Sequence, residues 1–236
     1  MGGIGFYPYF EPTYILVIIG ILLTLGASGK VRSTFGRYSQ IRSMSGLTGA
    51  QVADRLLREA GIYDVRIERV QGNLTDHYDP RDKVLRLSDS VYGQTSLAAI
   101  GVAAHECGHA IQHQESYAPL AIRGALVPVA NIGSMAAWPL IILGLLLSYN
   151  QTLIYLGIIL FSAAVLFQII TLPVEFDASK RAIAKLGKSG ILYEEELKQS
   201  KKVLDAAALT YVAAAAATIL QLLRLIILFG GGRNRD

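Results

Sequence analysis

Four long apolar runs constrain this chain more than any other feature in it. They are residues 14–27 ("YILVIIGILLTLGA"), 120–147, 153–173 and 207–229. The first is extended by the aromatic "FYPYF" before it, the residue type of an interfacial belt. Each run approaches or exceeds the roughly 20 residues that carry a helix across hydrocarbon. Lipid offers the backbone no hydrogen bonds, so runs of this length are expected as helices. Composition agrees: 52% of residues are hydrophobic and only 17% charged, where a soluble domain has about 25% charged. No Lys or Arg precedes the first run. A cleaved signal peptide begins with positive charge, so the run reads as an uncleaved anchor. Only the uncharged "SYNQT" separates the second run from the third, which makes them an antiparallel hairpin. Pro128 and Pro139 are expected kinks in the second.

The basic residues set an orientation. Lys30, Arg32, Arg37 and Arg42 follow the first run, and Lys180, Arg181, Lys185, Lys188, Lys201 and Lys202 lie between the third and fourth. By the positive-inside rule residues 30–118 and 175–202 face the cytoplasm and the N-terminus lies outside. The expected order is an anchor helix (1–29), a cytoplasmic domain (30–118), a membrane hairpin (119–174), a cytoplasmic segment (175–205), a fourth span (206–230) and a tail (231–236). That scheme puts "GGGRNRD" outside, against its two arginines. The net charge of +4 belongs to these membrane flanks and does not indicate nucleic-acid binding. The single cysteine, Cys107, excludes an intrachain disulfide.

Residues 44–118 are polar enough to fold outside lipid. "TGAQVADRLLREAGI" offers Thr48 as an N-cap and Val52, Leu56 and Leu57 at helical spacing. "DVRIERV", "LTDHY" and "KVLRLSD" read as three short strands parted by the turn signals "QGN" and "DPRD". The sequon at Asn73 is turn chemistry in this setting, with no glycan. A helix from about Gln94 to His113 follows.

That helix carries "AAHECGHAIQH". Histidines at i and i+4 lie on one helix face, so His105 and His109 can reach one ion. Glu106, next to the first, can touch a water on that ion without binding the ion. This is the H-E-x-x-H arrangement of zinc peptidases, with the glutamate as base; the bland alternative is two satisfied histidines on a helix. His113 lies about 12 Å of helix rise from His105, too far to join the same ion, and suits a helix C-terminus instead. Cys107 points to the opposite side and is expected to pack. His77, in "TDHYDP", is a strand or turn residue near the site, with a substrate-facing role as the sharper reading.

Glu175 is the candidate third ligand. It ends a long charge-free run at a membrane exit, where an acidic side chain needs a partner. The competing reading is a charge placed by a helix dipole.

With the N-terminal anchor, "HECGHAIQH", "LPVEFDASKRA" and "ALTYVAAAAA" on the page, the chain resembles the YugP-type membrane zinc metallopeptidases of bacteria over essentially its whole length. More distantly it resembles HtpX and the CAAX prenyl endopeptidases, in which a Glu on a later helix completes H-E-x-x-H. The resemblance implies an α+β membrane protein: a small gluzincin-like domain of helices and a short antiparallel sheet, inserted among about four transmembrane helices of the bacterial inner membrane. It implies zinc held by His105, His109 and Glu175, with Glu106 as general base. One position departs from the wider group: E-x-x-x-D reads Glu175-x-x-x-Ser179 here. The carboxylate that would orient a histidine is therefore unassigned, with Asp177 and Asp205 as candidates.

The substrate class this implies is proteins or peptides, membrane proteins included, with "KVLRLSD" as the sheet edge on which an extended peptide adds. A second electrophile opposite Glu106 is expected. His77 is one candidate. Tyr211, a lone tyrosine among small residues near the start of the fourth run, is the other; the bland reading, an interfacial anchor, stands ahead of that role. A zinc-binding adaptor without catalysis would have no use for Glu106. A site-2-type intramembrane protease would need the motif inside a span, and the apolar stretch from Leu97 to Ala104 is too short. A transporter would need more ionisable groups in its spans than Arg123 and Arg224, both near ends and free to snorkel.

Overall fold

The computed structural model describes residues 11–230, so the aromatic stretch 6–10 and the tail 231–236 lie outside the described residues. The order is α1 (Tyr14–Tyr38), α2 (Gly49–Glu59), β1 (Arg66–Val70), β2 (His77–Asp79), β3 (Val84–Ser88), α3 (Leu97–Gln114), α4 (Ala118–Leu146), α5 (Gln151–Lys188) and α6 (Glu194–Phe229). Helices α1, α4, α5 and α6 are long and apolar enough to cross a membrane. With the small sheet, they make an α+β membrane protein.

The long helices pack through small residues. Gly133 of α4 faces the Leu160 carbonyl of α5, Gly157 of α5 faces the Ala137 carbonyl, and Gly20 of α1 meets Ala217 of α6. Such residues let helix backbones approach closely where no hydrophobic effect drives association. Leu25, Ile132, Met135 and Ile159 remain exposed, as lipid-facing side chains do. Helix α4 continues through Pro128 and Pro139.

Helix α5 has 38 residues, about 57 Å at 1.5 Å per residue, far longer than a bilayer core of about 30 Å. Its charge-free part runs on without a break into Glu175 and Lys188. Arg224 is not free at the end of α6. It pairs with Glu11 at 3.6 Å and stacks over the Tyr14 ring at 4.3 Å, tying α6 to the start of α1.

In the polar part, Thr48 and Gln51 form a capping box that starts α2 and buries Val52, Leu56 and Leu57. The sheet order is β1-β3-β2. β1 runs parallel to β3, with Arg66 opposite Val84, and β2 runs antiparallel to it, with His77 opposite Arg86. Two expectations need correction. The sheet is mixed, not antiparallel throughout, and β3 ("KVLRLSD") is the central strand and offers no edge. Hydrophobicity explains the placement. Val84, Leu85 and Leu87 are fully buried, whereas β1 and β2 are only partly covered, so the most apolar strand takes the middle. The strand edge beside α3 belongs to β2.

The core of this part joins Leu56, Leu85, Leu87, Leu97, Ile100 and Cys107 to Ala182 and Leu186 of α5 and Leu204 of α6. Each fully buried leucine contributes about 1.5–3 kcal/mol. The same burial therefore stabilises the polar domain and clamps it to the ends of two membrane helices.

Candidate active site

Ser96 caps α3 by accepting from Ala99 N at 3.2 Å, and the helix then runs unbroken to Gln114. Ala103, Ala104, Cys107 and Ala110 turn into the core, with Cys107 Sγ 3.6 Å from the Ala53 carbonyl. His105 and His109 turn the other way, their ring centroids 4.7 Å apart. Gly108 lets α5 cross close behind them: a Cβ there would lie 2.5 Å from the Ala178 carbonyl. This approach brings in Glu175. Its Oε2 lies 3.3 Å from His105 Nε2 and 3.5 Å from His109 Nε2.

The outer nitrogens of the two rings are also engaged. His109 Nδ1 is 3.0 Å from Gln112 Oε1, and Gln112 Nε2 donates to the Val174 carbonyl and to Asp177 Oδ2, each at 2.8 Å. Both of those partners accept only, so the Gln112 amide has one sensible orientation and its oxygen accepts from His109 Nδ1–H. His105 Nδ1 lies 3.1 Å from Ser179 Oγ. The Ser179 hydroxyl can accept from His105 Nδ1–H, and in that tautomer each neutral ring presents its Nε2 lone pair toward Glu175. Glu175 Oε2 is buried, and among the described residues its near polar neighbours include these two Nε2 atoms, with no well-aligned hydrogen-bond donor to it.

Three atoms that can each ligate a metal, all within 4.8 Å of one another, thus converge. With both rings neutral all three are acceptors, and a cation among them satisfies them together. Bonds of about 2.0–2.2 Å at tetrahedral angles put zinc ligands about 3.4 Å apart, which the two histidine-to-glutamate distances match. Two imidazoles and one carboxylate also form a donor set that leaves a position open on zinc.

Glu106 is buried beside this group. Burial pushes its carboxyl above the usual carboxylate range; His105 and His109 oppose the shift, and Asp76 and Glu175 add to it. His105, Glu106, His109, Gln112, Glu175 and Asp76 line a cleft of about 640 Å³, which also receives His77 and Tyr78 from β2, Arg123 from α4 and Tyr211 from α6. His77 sits on the rim, with Nδ1 2.9 Å from the Thr75 carbonyl. His113 lies apart from the ligand group and pairs with the Tyr78 hydroxyl at 2.8 Å.

A family model described as "Putative neutral zinc metallopeptidase" matches residues 13–230. The chain belongs to this zinc metallopeptidase family. It is 51% identical over 221 residues to "Putative membrane protease YugP" of Bacillus subtilis (strain 168), covering 94% of this chain and 98% of that protein. No solved structure matches.

Within this family member, several partners of the ligand group escape sequence reasoning. Ser179, at the position where the wider group has Asp, itself meets His105. Of the two candidate carboxylates, Asp177 acts on His109 only through Gln112, while Asp205 pairs with Lys201 at 2.7 Å on the surface. Asp177 is held in turn by Arg181, which also binds Glu115, both at 2.5 Å. Gln112 had a legible signal, the i+3 spacing from His109 that puts both on one face. Arg123 had none. Expected as a snorkelling end residue, it instead pairs with Glu175 Oε1 at 3.3 Å.

Proposed function

We propose that the protein is a membrane-integrated zinc endopeptidase in which His105, His109 and Glu175 hold the metal and Glu106 is the general base. The observation that carries this reading is the convergence of the buried Glu175 Oε2 with the Nε2 atoms of His105 and His109 at metal-ligand spacing, with the buried Glu106 carboxylate alongside. When bound, zinc supplies a Lewis acid that polarises a carbonyl and lowers the pKa of water toward about 7. Glu106 takes the proton of the attacking water and delivers it to the leaving amine; a carboxyl raised by burial suits both halves of that task. Gln112 and Ser179 hold the imidazole tautomers. Arg123 and Tyr211 supply donors in the same cleft for charge developing on the carbonyl oxygen. An extended substrate lies along β2, the edge strand whose residues line the cleft.

The basic flanks support an orientation with α3 and its cleft on the cytoplasmic side of the inner membrane. Thiol labelling of Ser45→Cys in sealed cells checks the side, and reagent reaching it from outside overturns the orientation.

Metal analysis and hydrolysis together test the site. His105→Ala, His109→Ala and Glu175→Ala each lose zinc, whereas Glu106→Gln keeps zinc and loses cleavage of an unfolded substrate. Full zinc in Glu175→Ala removes the third ligand. Undiminished cleavage by Glu106→Gln removes the base and leaves a zinc-binding adaptor.

A further inference from the structure

The cleft does not end at the polar domain. Leu120, Ala121, Gly124 and Val127 of α4 line it together with His105, Glu106 and Glu175. Their spacing puts them on one face of a helix that qualifies as a membrane span. Arg123 is the one charged residue of α4, so the wall beyond it is apolar. Tyr211 of α6 stands in the same cleft, and α4 and α6 both pack along α5. At the far end of these helices the gap is filled: Ala137 and Ile141 of α4, Phe161 and Val165 of α5 and Leu225 of α6 form one cluster. At the catalytic end the cleft takes the place of such a cluster. Ala121 and Gly124 are exposed there, and among the described residues a Cβ on Gly124 would meet nothing within 4 Å.

From this continuity, and resting on the peptidase reading above, we infer that the substrates are membrane-anchored proteins cut within a few residues of where an apolar segment leaves the bilayer, with that segment seated in the groove between α4 and α6. The rise from Leu120 to Val127 is about 10 Å, room for about three extended residues at 3.3 Å each. A polar peptide in this groove would leave hydrogen-bonding groups unsatisfied in lipid. Apolar side chains have no such cost, and backbone groups nearer the metal can pair with the free edge of β2. A polypeptide suits the groove because the same cleft holds Glu106 and residues of that edge strand.

Two reporters with the same cleavable stretch test this, one joined three residues away to an apolar transmembrane segment and the other soluble. Wild-type protein in lipid vesicles cleaves the anchored reporter with a kcat/KM at least tenfold higher. Gly124→Leu, which fills the groove, brings that ratio toward one, and Ala125→Leu, one residue outside it, does not. Equal rates on both reporters, or a ratio preserved in Gly124→Leu, overturn the inference while leaving the peptidase reading intact. Occupancy is also read without catalysis, by crosslinking Ala121→Cys in the Glu106→Gln protein to a cysteine in the reporter's apolar segment. Crosslinking with no cleavage by the wild type keeps the docking and removes the peptidase reading. Crosslinking no stronger than from Ala125→Cys overturns the docking.

Discussion

Gly108 of α3 lies so close to Ala178 of α5 that a Cβ on the glycine would come within 2.5 Å of the alanine carbonyl oxygen. The crossing of the two helices at this point sets the distance from His105 and His109 to Glu175. Gly108→Ala must push α5 away, and overpacking of this kind costs about 1–3 kcal/mol. Zinc affinity is expected to fall tenfold or more, with a lower unfolding temperature, in a competitive zinc titration and a thermal scan. Wild-type zinc affinity in Gly108→Ala shows that the crossing does not position the ligands.

Gln112 is fully buried and links His109 to Asp177 and the Val174 carbonyl. Removing an outer partner of a metal-binding histidine typically costs about 10–100-fold in affinity, and Gln112→Ala is expected in that range. Gln112→Glu does not rescue it, because a carboxylate cannot donate to two acceptors that face it. A Glu variant that binds zinc normally refutes the tautomer argument.

Tyr211 and Arg123 share the cleft with Glu106. If the tyrosine hydroxyl stabilises the oxyanion, Tyr211→Phe lowers kcat about 100-fold or more with zinc content intact. Cleavage at the wild-type rate makes Tyr211 a packing or anchoring residue and leaves Arg123 as the donor.

Asp76 accepts from Ser88 N at 2.7 Å and Ser88 Oγ at 2.9 Å, yet burial holds its carboxyl above the usual range. Its protonated form is therefore favoured by folding. The associated stability is fully present below the unfolded pKa, about 3.9, and is lost as pH rises through the higher folded value. The thermal midpoint of Asp76→Asn minus that of wild type should increase as pH rises above about 4 and then level off. A difference that is flat across this range, or that falls, contradicts the assignment.

The lengths of the apolar runs, the one-turn spacing of His105 and His109, and the caps at Thr48 were legible because each depends on neighbours within a few residues. Length against bilayer thickness and position around a helix are local properties of the chain. Glu175 stood out for a related reason, as the first charge after a run that has none. The tertiary structure alone decided that β3 lies between β1 and β2, since strand order follows from which strand can be buried on both faces, and that depends on the helices packed over it. It also decided that Ser179 meets His105, that Gln112 joins His109 to Asp177, and that Arg123 turns from the membrane boundary to Glu175. These pairings connect residues on different helices. The two that join α3 to α5 depend on Gly108 having no side chain at that crossing, a steric fact that becomes visible only when both helices are in place.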